Sequence, residues 1–265
     1  MKRTKIKAGF CFLLSGLLLC SSCRKDGLMQ GELGDSGVAR VNVVNAVVSG
    51  GYAKANVSLK KVYWNTIADY DGLGGSGSLN RLFRVPVGQP MVLQVASLSD
   101  TTKLWYDQSA VLGRDEVYSL YLSGIGSHVD TLFHRETNFP AYVVRDAAKP
   151  VPSADSIVNI RFVNLSPSGP KVDINIQGMS SNEASGLGYQ KFTDFKAYPT
   201  KTGTYSIVFE IRRSSDKQLV STYYFNADYF RFKTVSVLMM GIYDPDLSLP
   251  LSYYDSYRIE AVSYE

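Results

Sequence analysis

The sequence predicts an all-β protein whose body is two tandem β-sandwich repeats. Three observations carry that expectation. Tyrosine and phenylalanine number 18 and 12 in 265 residues, and β-branched residues cluster in short runs. Such residues suit a half-buried pleated surface. No window of about 12 residues holds a capped apolar stripe of helical period. The chain also contains two copies of one strand pattern in the same order.

The N-terminus comes before that pattern. Lys2, Arg3, Lys5 and Lys7 precede an apolar run over residues 9–19, and two serines then lead to Cys23. A basic segment, an apolar segment of about 7–15 residues and small residues before a cut make a secretory signal. The run is too short to span a bilayer, which takes about 20 apolar residues. The pattern resembles the bacterial lipobox, in which the cysteine becomes the first mature residue. That resemblance implies a diacylglycerol thioether and an acyl group, such as palmitate, on Cys23, enough chains for stable anchoring. Cys20 offers a second register, but Leu19 before it is larger than the small residue a cut requires. Cys23 is followed by Arg24 and not by the Asp that resembles an inner-membrane retention signal, so the outer membrane is expected. The expected division is a signal peptide over 1–22, a Gly-rich polar tether over 23–37, repeats over 38–139 and 157–265, and a linker over 140–156.

Removing the leader changes the charge. Residues 1–22 hold four basic and no acidic residues, so the rest carries 24 of each and is formally neutral. Nucleic-acid binding needs a basic surplus or stripe, and none is present. All three cysteines lie within the first 23 residues, so the body has neither a disulfide nor a cysteine metal site. The remaining 243 residues must be stable through core burial alone.

The repeat runs segment by segment. Residues 40–50 match 159–169, each ending in Val-Asn and then a Ser-Gly turn. Residues 55–59 match 172–176 with period two, and 85–88 leading into 91–95 match 198–199 and then 203–211. Residues 103–106 match 219–225, and 117–124 match 234–241. Short strands at intervals of about 8–12 residues, separated by Gly, Pro, Asn and Ser, predict sandwiches, each burying one face of each of its two sheets. Pro140, Pro150 and Pro152 mark the boundary between copies, with a short ordered piece expected at residues 142–144.

The second copy carries a family resemblance. Ile160-Arg161-Phe162-Val163-Asn164-Leu165-Ser166-Pro167, then Val172-Asp173-Ile174, Phe192-Thr193-Asp194-Phe195 and Gly203-Thr204-Tyr205, resemble the bacterial domain-of-unknown-function family numbered 4397. The resemblance covers about residues 157–245. In the first copy, Val47-Val48 and Gly88-Gln89-Pro90 replace the Ser-Pro and Gly-Thr-Tyr elements. The family implies an extracytoplasmic immunoglobulin-like sandwich without an agreed activity.

Catalytic patterns are absent or incomplete. Gly34-Asp35-Ser36-Gly37 matches a protease nucleophile motif, but both histidines, His128 and His134, lie downstream of it. Those two histidines share strand parity, yet a zinc site needs further ligands. Asp69-Tyr70-Asp71-Gly72 lacks the distal Glu of a calcium loop, and Asp244-Pro245-Asp246 reads as a turn. The Gly-rich run 73–78 has no following Lys-Ser or Lys-Thr to cradle phosphate.

The aromatic surplus is the remaining signal. Tyr63, Trp64, Trp105, Tyr106, Tyr253, Tyr254 and Tyr257 are the candidate ligand-facing residues, suited to stacking on sugars or anchoring a protein. The competing expectation is that they fill the cores. The functional expectation is a lipid-anchored envelope protein acting as a non-enzymatic binding or structural module. It would have no cofactor, no metal and no nucleic-acid partner. Its partners would be the membrane and an envelope protein or polysaccharide. The alternative is a glycan-binding accessory lipoprotein of a nutrient-uptake system; a hydrolase has the least support.

Overall fold

A computed structural model describes residues 37–48, 53–58, 65–68, 79–140, 156–200, 206–243 and 255–264. The signal peptide, Cys23 and nearly all of the tether lie outside the described residues. So do residues 142–144, 69–78 and 244–250. Residues 36–265 form one compact unit. The described residues contain no α-helix, and none of their elements is an apolar helix long enough to cross a membrane.

The first half has eight strands: β1 (Val38–Val48), β2 (Ala53–Ser58), β3 (Asn65–Ala68), β4 (Asn80–Pro86), β5 (Pro90–Ser97), β6 (Leu104–Val111), β7 (Val117–Ile125) and β8 (His128–Arg135). The second half has β9 (Ile157–Asn164), β10 (Val172–Ile176), β11 (Asn182–Leu187), β12 (Lys191–Phe192), β13 (Lys196–Pro199), β14 (Ile207–Arg213), β15 (Leu219–Phe225), β16 (Thr234–Met240) and β17 (Arg258–Ser263). Sheet orders are β4-β1-β7-β8 and β3-β2-β5-β6 in the first half. In the second they are β12-β9-β16-β17, with β13 also on β9, and β11-β10-β14-β15. The orders correspond strand for strand, with β12 and β13 together standing where β4 stands. β1 pairs with β7 in parallel, and β9 with β16 likewise. All other ladders are antiparallel. This all-β sandwich architecture fits the immunoglobulin-like expectation.

Each half has its own apolar core. In the first, Val41, Val43, Met91, Leu93, Leu120 and Leu122 meet between the two sheets. In the second, Ile160, Phe162, Ile174, Phe209, Phe225 and Val237 do the same. Ring edges meet ring faces there: Phe209 packs T-shaped on Phe162 at 5.0 Å and on Tyr198 at 5.9 Å.

A third apolar cluster lies between the halves, and here the structure departs from the expectation that each sheet buries one face. Val44, Ala46, Val48 and Tyr121 meet Val163, Leu165, Leu238 and Met240. Strand periodicity explains how. Along β7, Tyr118, Leu120 and Leu122 face the first core, while Tyr121 faces the second half. Along β16, Val235, Val237 and Met239 face the second core, while Leu238 and Met240 face the first half. β1, β7, β9 and β16 are therefore covered on both sides. Strands buried on both faces read as nearly continuous apolar runs, as Val41–Val48 and Val235–Met240 do.

The repeated sequence signals have local physical causes. Asn45 Oδ1 accepts the Val47 N–H at 3.2 Å, and Asn164 Oδ1 accepts the Ser166 N–H at 3.1 Å. Each asparagine thereby bonds to its own backbone two residues on, inside β1 in the first half and at the last residue of β9 in the second. Gly124 and Gly241 have φ of 112° and 86°. A Cβ at either would meet a backbone carbonyl oxygen, that of His128 at 2.1 Å or of Ser256 at 2.2 Å. Only glycine fits both requirements.

Candidate functional site

Among the described residues, the largest buried polar cluster lies where the halves meet, centred on Arg161. That side chain is 1% exposed, on the face of β9 turned toward the first half. Its Nη1 donates to Glu136 Oε2 at 2.7 Å and its Nη2 to Glu136 Oε1 at 2.6 Å, a bidentate pair. Nε donates to Ser236 Oγ at 2.9 Å. Nη2 also reaches Ser119 Oγ at 3.1 Å and touches the hydroxyls of Tyr121 and Tyr264. Its two hydrogens serve at most two acceptors at once, so these oxygens share them. They are linked to one another: Ser119 Oγ lies 2.8 Å from the Tyr264 hydroxyl, which lies 2.9 Å from that of Tyr121.

Aromatic rings close the cluster. The guanidinium carbon lies 4.5 Å from the centre of Phe195 and 5.3 Å from that of Phe192. The edge beside β9 is broken between β12 and β13, and Phe195 comes from that break. At the break, Thr193 Oγ1 accepts the Phe162 N–H at 3.0 Å. Phe139 joins the wall, 5.2 Å from the Tyr264 ring and 5.4 Å from Arg40.

The electrostatics favour a fixed charge. Burial alone would weaken the protonation of Arg161. The surrounding Tyr121, Tyr264 and Glu136 groups more than offset that, raising its pKa above the usual arginine value. Burial holds the Tyr264 hydroxyl well above its usual value, so it stays protonated. A cluster that is closed, charge-balanced and held by donors on both sides is suited to joining two sheets. It offers no open position beside a nucleophile.

Of three equivalent positions across this joint, two carry different residues. The ladders align Asn42 with Arg161, Ser119 with Ser236, and Glu136 with Tyr264. Glu136 N–H bonds to Val117 O, and Tyr264 N–H to Thr234 O, in the same place in each half. Asn42 is fully buried, and its Oδ1 accepts from Asn80 Nδ2 at 2.8 Å.

Among the aromatics singled out from the sequence, Tyr63, Trp64, Tyr253 and Tyr254 lie outside the described residues. Tyr106 is 6% exposed and packs in the first core against Phe133, and burial pushes its hydroxyl up to about 12. Trp105 is half-buried against that same core. Tyr257 is half-buried against the second core, edge-on to Tyr243, and its hydroxyl is buried. The three do not share one surface. Among the described residues, the exposed tyrosines are instead Tyr224 and Tyr229, at 69% and 65%.

His134 lies against Phe192 with ring centres 4.5 Å apart, and its Nε2 is 3.7 Å from Glu136. His128 is exposed, and Asp130 accepts the Tyr189 hydroxyl at 2.8 Å. Among the described residues, no three His, Cys, Asp or Glu side chains gather as metal ligands would. An open cavity of about 380 Å³ lies beside Ile176, Tyr198, Pro199 and Ile207; the described residues lining it include no carboxylate, histidine or amine.

Sequence reasoning left Arg161 and Glu136 without a role. The available signal was an arginine inside the apolar strand Ile160-Arg161-Phe162-Val163, where a charge needs a partner. No family model matches the chain, and no curated protein matches it.

Proposed function

We propose that the protein is a lipid-anchored component of the bacterial cell envelope, held at the outer membrane. Its folded body would serve as a non-enzymatic binding or structural module. The observation that carries this reading is the basic segment, short apolar run and paired serines immediately before Cys23. The body is formally neutral once the leader is removed, which favours neither nucleic acid nor other polyanions as partner. The buried ionic cluster around Arg161 holds two sheets together and is closed to substrate. Such a body suits presentation of a fixed surface at a set distance from a bilayer.

Metabolic labelling with a clickable palmitate analogue, followed by membrane fractionation, tests the anchor. The wild-type chain and a Cys20→Ala variant are expected to take up label and sediment with membranes. A Cys23→Ala variant is expected to do neither. Label retained on the Cys23→Ala protein contradicts the assignment.

A further inference from the structure

The chain enters the body at one end of the joined sandwiches, and that end carries aromatic and basic side chains together with the carboxylates of Asp115 and Asp228. Val38 begins β1 there: its carbonyl accepts the Asp115 N–H, and Arg40 N–H bonds to Glu116 O, both at 2.9 Å. The loop between β15 and β16, residues 226–233, holds the corresponding place in the second half. Phe232 N–H bonds to Ile157 O at 2.7 Å, and Asn159 N–H to Lys233 O at 3.0 Å.

The two places share one end because β7 and β9 run the same way across the joint. Ser119 meets Arg161, and two residue pairs further on Ser123 meets Tyr189, whose neighbour Gln190 bonds to Asn164 O. Phe139 bridges Arg40 and Tyr264 at this same end.

The 226–233 loop is a firmly based projection. Phe230 stacks on Phe225 of the second core at 5.1 Å, and Tyr229 stands edge-on to Phe230 at 4.8 Å. Lys233 Nζ lies 4.6 Å over the Tyr229 ring, and Arg231 pairs with Asp228 at 2.6 Å. Phe232 has φ of 65°, a left-handed conformation that bulky residues seldom adopt. Strain of this kind, held by surrounding structure, collects at functional surfaces. Exposed Val111 and Met179, at 63% and 60%, and exposed Arg114 lie at the same end.

We propose that this end is a membrane-contact surface. Tyr229 would sit at the headgroup level of a phospholipid bilayer, with Arg231 and Lys233 among the phosphates. The inference rests on the lipid anchor at Cys23. Tyrosine, like tryptophan, is enriched at the bilayer interface, and long basic side chains extend to phosphates from an apolar base. The fifteen residues from Cys23 to Val38 can span at most about 50 Å in any conformation. The anchor therefore keeps this end at a high effective concentration near the bilayer, where even a weak contact is populated.

The lipidated protein tests this, because its Cys23 sulfur is in thioether linkage and an introduced cysteine is then the only free thiol. Tyr229→Cys and Ser127→Cys proteins, the latter labelled at the opposite β7–β8 hairpin, are each given an environment-sensitive fluorophore. They are reconstituted in phosphatidylethanolamine–phosphatidylglycerol vesicles containing a headgroup spin label. Vesicle flotation reports the anchor separately. The expected result is that both proteins float and that quenching at 229 exceeds quenching at 127 by at least about twofold. Adding Arg231→Glu and Lys233→Glu to the Tyr229→Cys protein should reduce that difference. Flotation with equal quenching at 229 and 127 overturns the contact surface and leaves the anchor standing. Failure to float overturns the anchor and this inference with it.

Discussion

The two halves share strand order and pairing, yet they differ at the positions where they meet. Both place an asparagine that bonds to the backbone two residues on toward the end of the first strand, and a left-handed glycine at the equivalent position. Across the joint, the first half presents Asn42 and Glu136 where the second presents Arg161 and Tyr264. Repetition therefore specifies each sandwich, and divergence specifies how the sandwiches pair. Two copies of the second half meeting in this way would oppose two buried arginines. Two copies of the first would leave Glu136 without a cation. A buried ion pair adds little net stability over an apolar replacement, but it makes wrong pairings costly.

The sharpest way to break this asymmetry is to remove one charge. Glu136→Gln leaves Arg161 buried without its counter-ion, a loss of about 3–5 kcal/mol by urea denaturation. Arg161→Met is expected to cost a similar amount through Glu136. The double variant Glu136→Leu/Arg161→Met should recover most of that loss, because two matched apolar groups need no partner. A double variant as unstable as the sum of the singles removes pairing as the role of this cluster.

The shared positions should instead respond alike in both halves. Gly124→Ala and Gly241→Ala each force a left-handed residue against a carbonyl, and each is expected to cost at least about 1–3 kcal/mol. Thermal denaturation of the two variants checks this. A large loss at one and none at the other contradicts the equivalence of the two turns.

The smallest expected effect belongs to the second half alone. Asp173 accepts from Lys217, the Gly186 N–H and Ser214, and these bonds, led by that of Lys217, lower its carboxyl from 3.8 to about 2. A depressed carboxylate stabilises the fold above its unfolded value, and the contribution is lost as pH falls from about 4 through about 2. An Asp173→Asn protein should therefore show a shallower fall in stability across that window. An unchanged acid profile contradicts the assignment.

Much of this architecture was legible in the sequence, and the losses have specific causes. All five matched segments became corresponding strands, because glycine, asparagine and alternation survive where backbone geometry demands them. β3 and β11 fell outside the matched segments, and β4 and β13 entered only through their ends, Val85-Pro86 and Tyr198-Pro199, because short strands hold too few residues for a pattern to show. The joint escaped because the apolar runs were read as covering one face, although Val41–Val48 alternates too little for that. The aromatic surplus was legible as composition. Placement was not, since Tyr106 and Tyr229 differ in what surrounds them and not in residue type.

The central claim is that the two halves form one cooperative body. Both tryptophans, Trp64 and Trp105, belong to the first half, so tryptophan emission reports that half, whereas far-ultraviolet circular dichroism reports both. Followed through one urea titration of the intact chain, the two signals should change together at a single midpoint. Separate midpoints, with emission leaving circular dichroism behind or running ahead of it, would contradict the account.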